Sequence, residues 1–183
     1  MSAWDWKNLW PAGTERQYSW LDDSPVKTCS HYREEFTFLN DTRTRYLSGH
    51  RAGRKATATG VVPTAALYLD KVWLSDVVVG MRQKGEPFIA YASWPDMSVV
   101  SLRRLKQLTS WLSTVIGKGH AVEVGCIGGH GRTGTLAAAL MVHEGVPAEE
   151  AITKVRRDYC KHAIETSEQE ELVKEADKLW NLQ

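Results

Sequence analysis

The chain has 183 residues, 43% of them hydrophobic and 25% charged, with a formal net charge of +1. That length and balance suit one soluble globular domain with a sizeable core, so disorder is not the default expectation. A charge so close to zero gives no reason to expect nucleic acid or an anionic membrane as a partner.

Residues 1–40 hold Trp4, Trp6, Trp10 and Trp20, four of the eight tryptophans. They read as an N-terminal arm whose rings pack over a domain formed by 41–183. The start has neither a basic stretch nor an apolar run, so no secretory signal is expected. Residues 42–55 are basic, with Arg43, Arg45, Arg51, Arg54, Lys55 and His50 and no acid. Such a run is commonly a solvated loop, and it can also border a cleft that attracts polyanions.

Residues 65–69 (AALYL) follow the turn residues Gly60 and Pro63 and read as a strand. Residues 73–84 read as a helix stopped by Gly85. The short apolar run 87–92 (PFIAYA) reads as a buried strand. Residues 101–116 form a clear amphipathic helix. Leu102, Leu105, Leu108, Leu112, Val115 and Ile116 share one face, opposite Arg103, Arg104, Lys106 and Gln107. Residues 117–119 end it, and 121–124 read as the next strand. Strands alternating with helices predict a single α/β domain, with a mostly parallel twisted sheet flanked by helices.

Beyond residue 144, Gly145 reads as a helix stop, and Pro147 with Glu149 and Glu150 as the start of another helix. Thr166 or Ser167 caps the last helix, with Gln169 or Glu170 completing a capping box. Its predicted apolar face is Leu172, Val173, Ala176, Leu179 and Trp180. The longest purely apolar run, 136–142, is too short to cross a bilayer.

The most informative stretch is 123–142, EVGCIGGHGRTGTLAAALMV. It reads as strand, tight loop, helix. Gly128, Gly129 and Gly131 let backbone N–H groups converge without Cβ obstruction. The helix beginning near Arg132 aims its positive end into the loop. Convergent amides, a guanidinium and a helix N-terminus suit a tetrahedral oxyanion. The same surroundings favour the thiolate of Cys126, a nucleophile facing phosphorus. An ordinary strand–helix turn with a core cysteine is the plain alternative. A nucleotide-binding loop is excluded, because no lysine follows Gly134.

CIGGHGRTG resembles the phosphate-binding loop C-x-x-G-x-G-R-[ST]-G of the cysteine-dependent protein tyrosine and dual-specificity phosphatases. Gly125 stands where that family usually has histidine. Trp94–Pro95–Asp96, 30 residues before Cys126 (126 − 96), resembles the family's acid loop. The resemblance implies a tyrosine-phosphatase-like fold and hydrolysis of phosphomonoesters without metal or cofactor. Cys126 is then the nucleophile and Asp96 the acid. Arg132 chelates the phosphoryl oxygens and Thr133 hydrogen-bonds the sulfur. Substrate contacts come from Ile127, Gly128, Gly129, His130, Gly131 and Arg132. Residues 164–169 resemble the loop that orders the hydrolytic water, with Glu165 at the usual first glutamine and only Gln169 keeping an amide. A plain helix cap explains Gln169 equally well.

The expected substrate is a phosphorylated protein, carrying phosphotyrosine with or without phosphoserine or phosphothreonine. A phosphoinositide or other polyanion is the alternative, as is a non-catalytic phosphate-binding module. A thiol-redox protein is disfavoured, since no second cysteine sits at C-x-x-C spacing. The side chain of His130 is expected to face outward. Cys29 and Cys160 read as structural, and Asp76 and Glu123 as acids without motif support. A required free thiolate favours a reducing compartment and hence the cytoplasm.

Overall fold

A computed structural model describes residues 36–37, 46–49, 65–69, 88–120, 122–126 and 128–181. Most of the tryptophan-rich arm and of the basic stretch 42–55, the helix expected over 73–84, Cys29 and Asp76 lie outside the described residues.

Five described strands form one sheet: β1 (Phe36–Thr37), β2 (Tyr46–Gly49), β3 (Ala65–Tyr68), β4 (Phe88–Tyr91) and β5 (Val122–Gly125). Their spatial order is β1-β2-β5-β3-β4. All pairings are parallel except β1 with β2. The mostly parallel α/β sheet expected from the alternation of strands and helices is therefore present. Edge strand β1 lies within the span read as the arm.

β3 and β5 sit side by side at the centre, and every residue in them is buried. A strand alternates its side chains between faces. Ala65, Leu67, Val122 and Val124 accordingly join the hydrophobic core. Ala66, Tyr68, Glu123 and Gly125 alternate with them, and the Tyr68 hydroxyl donates to Glu123 Oε1 at 2.5 Å.

The described residues include four α-helices, one between β4 and β5 and three after β5. Helix α1 (Leu102–Gly117) starts at Ser101, whose hydroxyl accepts from Arg104 N. It buries Leu105, Leu108, Leu112, Val115 and Ile116, the face expected from the spacing. Helix α2 (Gly131–His143) is buried from Gly131 to Val142, so it shows no polar face. It is the central helix, in contact with α1, α3 and α4. Its run of alanines keeps side chains short enough for three neighbours to approach. Helix α3 (Ala148–Lys154) leads directly into a π-helical turn (Val155–Tyr159). That turn is closed by the i→i+5 bond from Cys160 N to Val155 O.

Helix α4 (Ser167–Trp180) is capped by Thr166, whose hydroxyl accepts from Gln169 N. Leu172, Val173 and Ala176 are buried as expected, but Leu179 is 59% exposed. Trp180, the last residue of α4, is partly buried and packs against the core. Pro147 stands at the N-cap of α3 rather than at its first helical position. No helix among the described residues is long and apolar enough to cross a membrane.

Candidate active site

Three segments meet at the carboxyl end of β5, where ligands bind in open α/β sheets. The first is the cysteine loop between β5 and α2. Cys126 is 2% exposed, directly after the last residue of the strand. Its sulfur accepts from Thr133 Oγ1 at 3.1 Å. A hydroxyl donor there stabilises negative charge on sulfur. The N-terminus of α2 has no side-chain cap, which leaves its first amides facing the loop. Ile127 lies outside the described residues.

The second segment is the acid loop, 92–100. Trp94 is fully buried, and its Nε1 donates to Ser98 O at 2.9 Å. Ser98 N and Oγ both donate to Pro95 O. These bonds close a tight turn that presents Asp96, 60% exposed, on its outer side. Met97, with φ +56, carries the strain of that turn. Arg132 joins the first two segments. Its Nη1 donates to Trp94 O at 2.7 Å, and its Nη2 lies 2.9 Å from Asp96 Oδ1. Arg132 is 1% exposed, so its charge is compensated across the interface between the loops.

The third segment is 160–169. Gln169 is fully buried. Its Oε1 accepts from Glu165 N, and its Nε2 donates to Ser98 O at 3.2 Å. A Cβ on Gly131 would lie 2.9 Å from Gln169 Oε1 and 2.5 Å from Glu165 Oε2. The amide thus touches the cysteine loop and the acid loop together, while its backbone serves the helix cap. The two readings of Gln169 are compatible. Its side chain does not return to the N-cap amide, as a capping box would, but to the residue before it.

His130 is oriented differently from expectation. It is half-buried, with Nδ1 3.3 Å from Cys160 Sγ, and its ring meets His162 edge-on. A neighbouring thiol and ring draw it against 160–162. Glu123, considered as a spare acid, is buried beneath the site and bonded to Tyr68. Burial pushes the Glu123 carboxyl above its usual range, partly offset by the Tyr68 bond. Burial and the neighbouring Glu123 push Tyr68 well up. Sequence reasoning missed Tyr159, whose hydroxyl donates to Gly129 O, and Arg156, which binds Ala163 O and Ile164 O. Neither position carries a motif.

The structure of Tk-PTP in its active form superposes with a TM-score of 0.65 and 27% identity, covering 76% of this chain and 94% of that one. In structure the chain is similar to the tyrosine/dual-specificity phosphatases. Kinase-associated phosphatase shares the fold of this chain at 15% identity, TM-score 0.63, with 79% and 91% of the two chains covered. PTPMT1, solved in complex with PI(5)P, does so at 19% identity and TM-score 0.58, with 76% and 93% covered. No family model matches the chain. Two uncharacterized proteins of Methanocaldococcus jannaschii are similar in sequence. MJECL20 is 35% identical over 107 residues, 58% of this chain and 71% of that protein. MJ0215 is 32% identical over 111 residues, 61% and 69% of the two.

Proposed function

We propose that this protein hydrolyses phosphomonoesters through a cysteinyl-phosphate intermediate, as a protein tyrosine or dual-specificity phosphatase. The observation that carries the reading is the Arg132 bridge. One buried guanidinium contacts the acid loop at both Trp94 O and Asp96, and Arg132 lies in the first turn of the helix whose Thr133 reaches the Cys126 sulfur. That supports a site in which Cys126 is the nucleophile, Arg132 the anion-binding group and Asp96 the acid.

In this mechanism the Cys126 thiolate attacks phosphorus in line and the bond to the leaving oxygen breaks. Arg132 turns its planar fork to two phosphoryl oxygens, a task for which lysine lacks the geometry. Amides of the loop and of the first turn of α2 stabilise the equatorial charge. Asp96 gives its proton to the leaving oxygen, then as carboxylate takes one from the water that attacks the thiophosphate. Thr133 steadies the departing thiolate. Gln169, anchored between Glu165 N and Ser98 O and packed against Gly131, is suited to hold that water.

A tyrosyl phosphate fits the apolar rim beside the acid, where Met97 is 56% and Val99 40% exposed. The alternative, a phosphoinositide, draws on the basic residues of 42–55. The test is hydrolysis of p-nitrophenyl phosphate in EDTA, followed by competition between a phosphotyrosine peptide and a phosphoinositide. Turnover with the peptide preferred is expected. Absence of turnover by folded protein would leave a phosphate-binding module.

A further inference from the structure

A loop that turns its amides inward around an anion must turn its carbonyls outward, and buried carbonyls need donors. In this chain the donors come from the end of the π-helical turn and the segment just after it. Tyr159 is 8% exposed, and its hydroxyl donates to Gly129 O at 2.5 Å. Ile164 N faces His130 O at 3.4 Å. Gly129 has φ +70, the left-handed geometry that reverses a peptide plane, and it is buried. Fixing its carbonyl therefore fixes the next amide, that of His130, in the opposite direction.

The backing segment is itself held. The i→i+5 turn ends at Tyr159, and the chain then becomes extended at Cys160. Arg156 Nε donates to Ala163 O at 3.3 Å, and Nη2 to Ile164 O at 3.2 Å. Arg156 Nη2 also pairs with Glu170 at the start of α4. Ile164 has φ +62, costly for a β-branched residue and sustained only by such surroundings. Cys160 Sγ lies 3.3 Å from His130 Nδ1. Three successive attachments thus run from 156–164 onto Gly129 and His130.

We infer that Tyr159 is a positioning residue for the cysteine loop, holding the Gly129–His130 peptide in its anion-binding orientation, with Arg156 bracing the segment behind it. This deepens the proposed phosphate-loop function and rests on it. Tyr159 acts through the loop and does not touch the reacting atoms.

The experiment is titration of wild type, Tyr159→Phe and Arg156→Gln with inorganic tungstate by calorimetry, beside melting curves without ligand and p-nitrophenyl phosphate kinetics. Removing the hydroxyl leaves a buried carbonyl without that donor, so tungstate affinity and kcat/KM should both fall about ten-fold. Folded Tyr159→Phe should show this loss at 25 °C, far below its own melting point. Arg156 is 38% exposed and its variant should remain folded, with a smaller loss of about three-fold. Unchanged tungstate affinity in folded Tyr159→Phe would overturn the inference. If that variant does not fold, unchanged affinity in Arg156→Gln would do the same. Wild type that binds tungstate without turning over substrate would refute the phosphatase reading alone, and the affinities would still judge Tyr159.

Discussion

Replacing Gly134 by alanine tests the packing behind the candidate site. Gly134 lies inside α2, where alanine is favoured over glycine by about 0.8–1 kcal/mol on helix propensity alone. Its Cβ, however, would land 2.7 Å from Ala163 Cβ and 3.0 Å from Ile164 N. Comfortable carbon–carbon contact is about 3.5–4.0 Å, so the 163–164 backbone would have to retreat by about 1 Å. It is not free to do so, being bonded to Arg156 and to His130 O. Overpacking against fixed backbone costs about 1–3 kcal/mol. The net expectation is a loss of about 1 kcal/mol, and at most about 2. For a chain of this size that lowers Tm by about 2–8 °C. Urea unfolding followed by circular dichroism, together with thermal melts, measures it. A variant more stable than wild type by the full propensity gain would show that 163–164 yields readily, and the argument that this segment braces the loop would fail.

Asp96→Asn should lower the rate about 10²–10⁴-fold for poor leaving groups and much less for p-nitrophenolate, since general-acid catalysis matters most where the leaving oxygen is basic. An equal loss across a series of aryl phosphates would contradict the acid role. Glu123 retains its proton in the folded protein above the ordinary value of 4.5, where the unfolded chain has lost it. Folded-state stability therefore falls as pH rises from there through the raised folded value. Glu123→Gln lacks that titration, so its stability relative to wild type should rise steadily over that range. A difference between the two that is flat from pH 4 to 8 would contradict it. Leu112→Ala, at a fully buried position of α1, should cost about 2–5 kcal/mol by cavity formation. A loss below 1 kcal/mol in urea unfolding would show that the core closes around the gap.

What could be read from the sequence divides by distance along the chain. The cysteine loop is contiguous, so residues 126–134 carry their chemistry in their own order. The acid loop was legible for the same reason, as a tripeptide at a suitable interval. Helix α1 announced itself by spacing, because one face is wet. Helix α2 has no such spacing, since burial on all sides leaves no period to read, and it was legible from the glycine loop and the alanine-rich run that follows. Tyr159 and Gly129 are 30 residues apart, and only the π-helical turn brings them together. Nothing in VRRDY distinguishes that turn from another turn of α3. His130 was expected to face outward because a loop position usually does, and a thiol at Cys160 that no spacing rule connects to it drew it in. Leu179 was assigned by periodicity to the apolar face of α4, and it is exposed.

The most direct test of the central claim is rapid acid quench of the protein with a phosphorylated substrate, followed by peptide mass spectrometry. The account predicts phosphate on the peptide carrying Cys126, acid-stable enough to detect and absent from Cys126→Ser, which should still bind tungstate. Turnover without phosphate on that cysteine, or with turnover retained in Cys126→Ser, would contradict it.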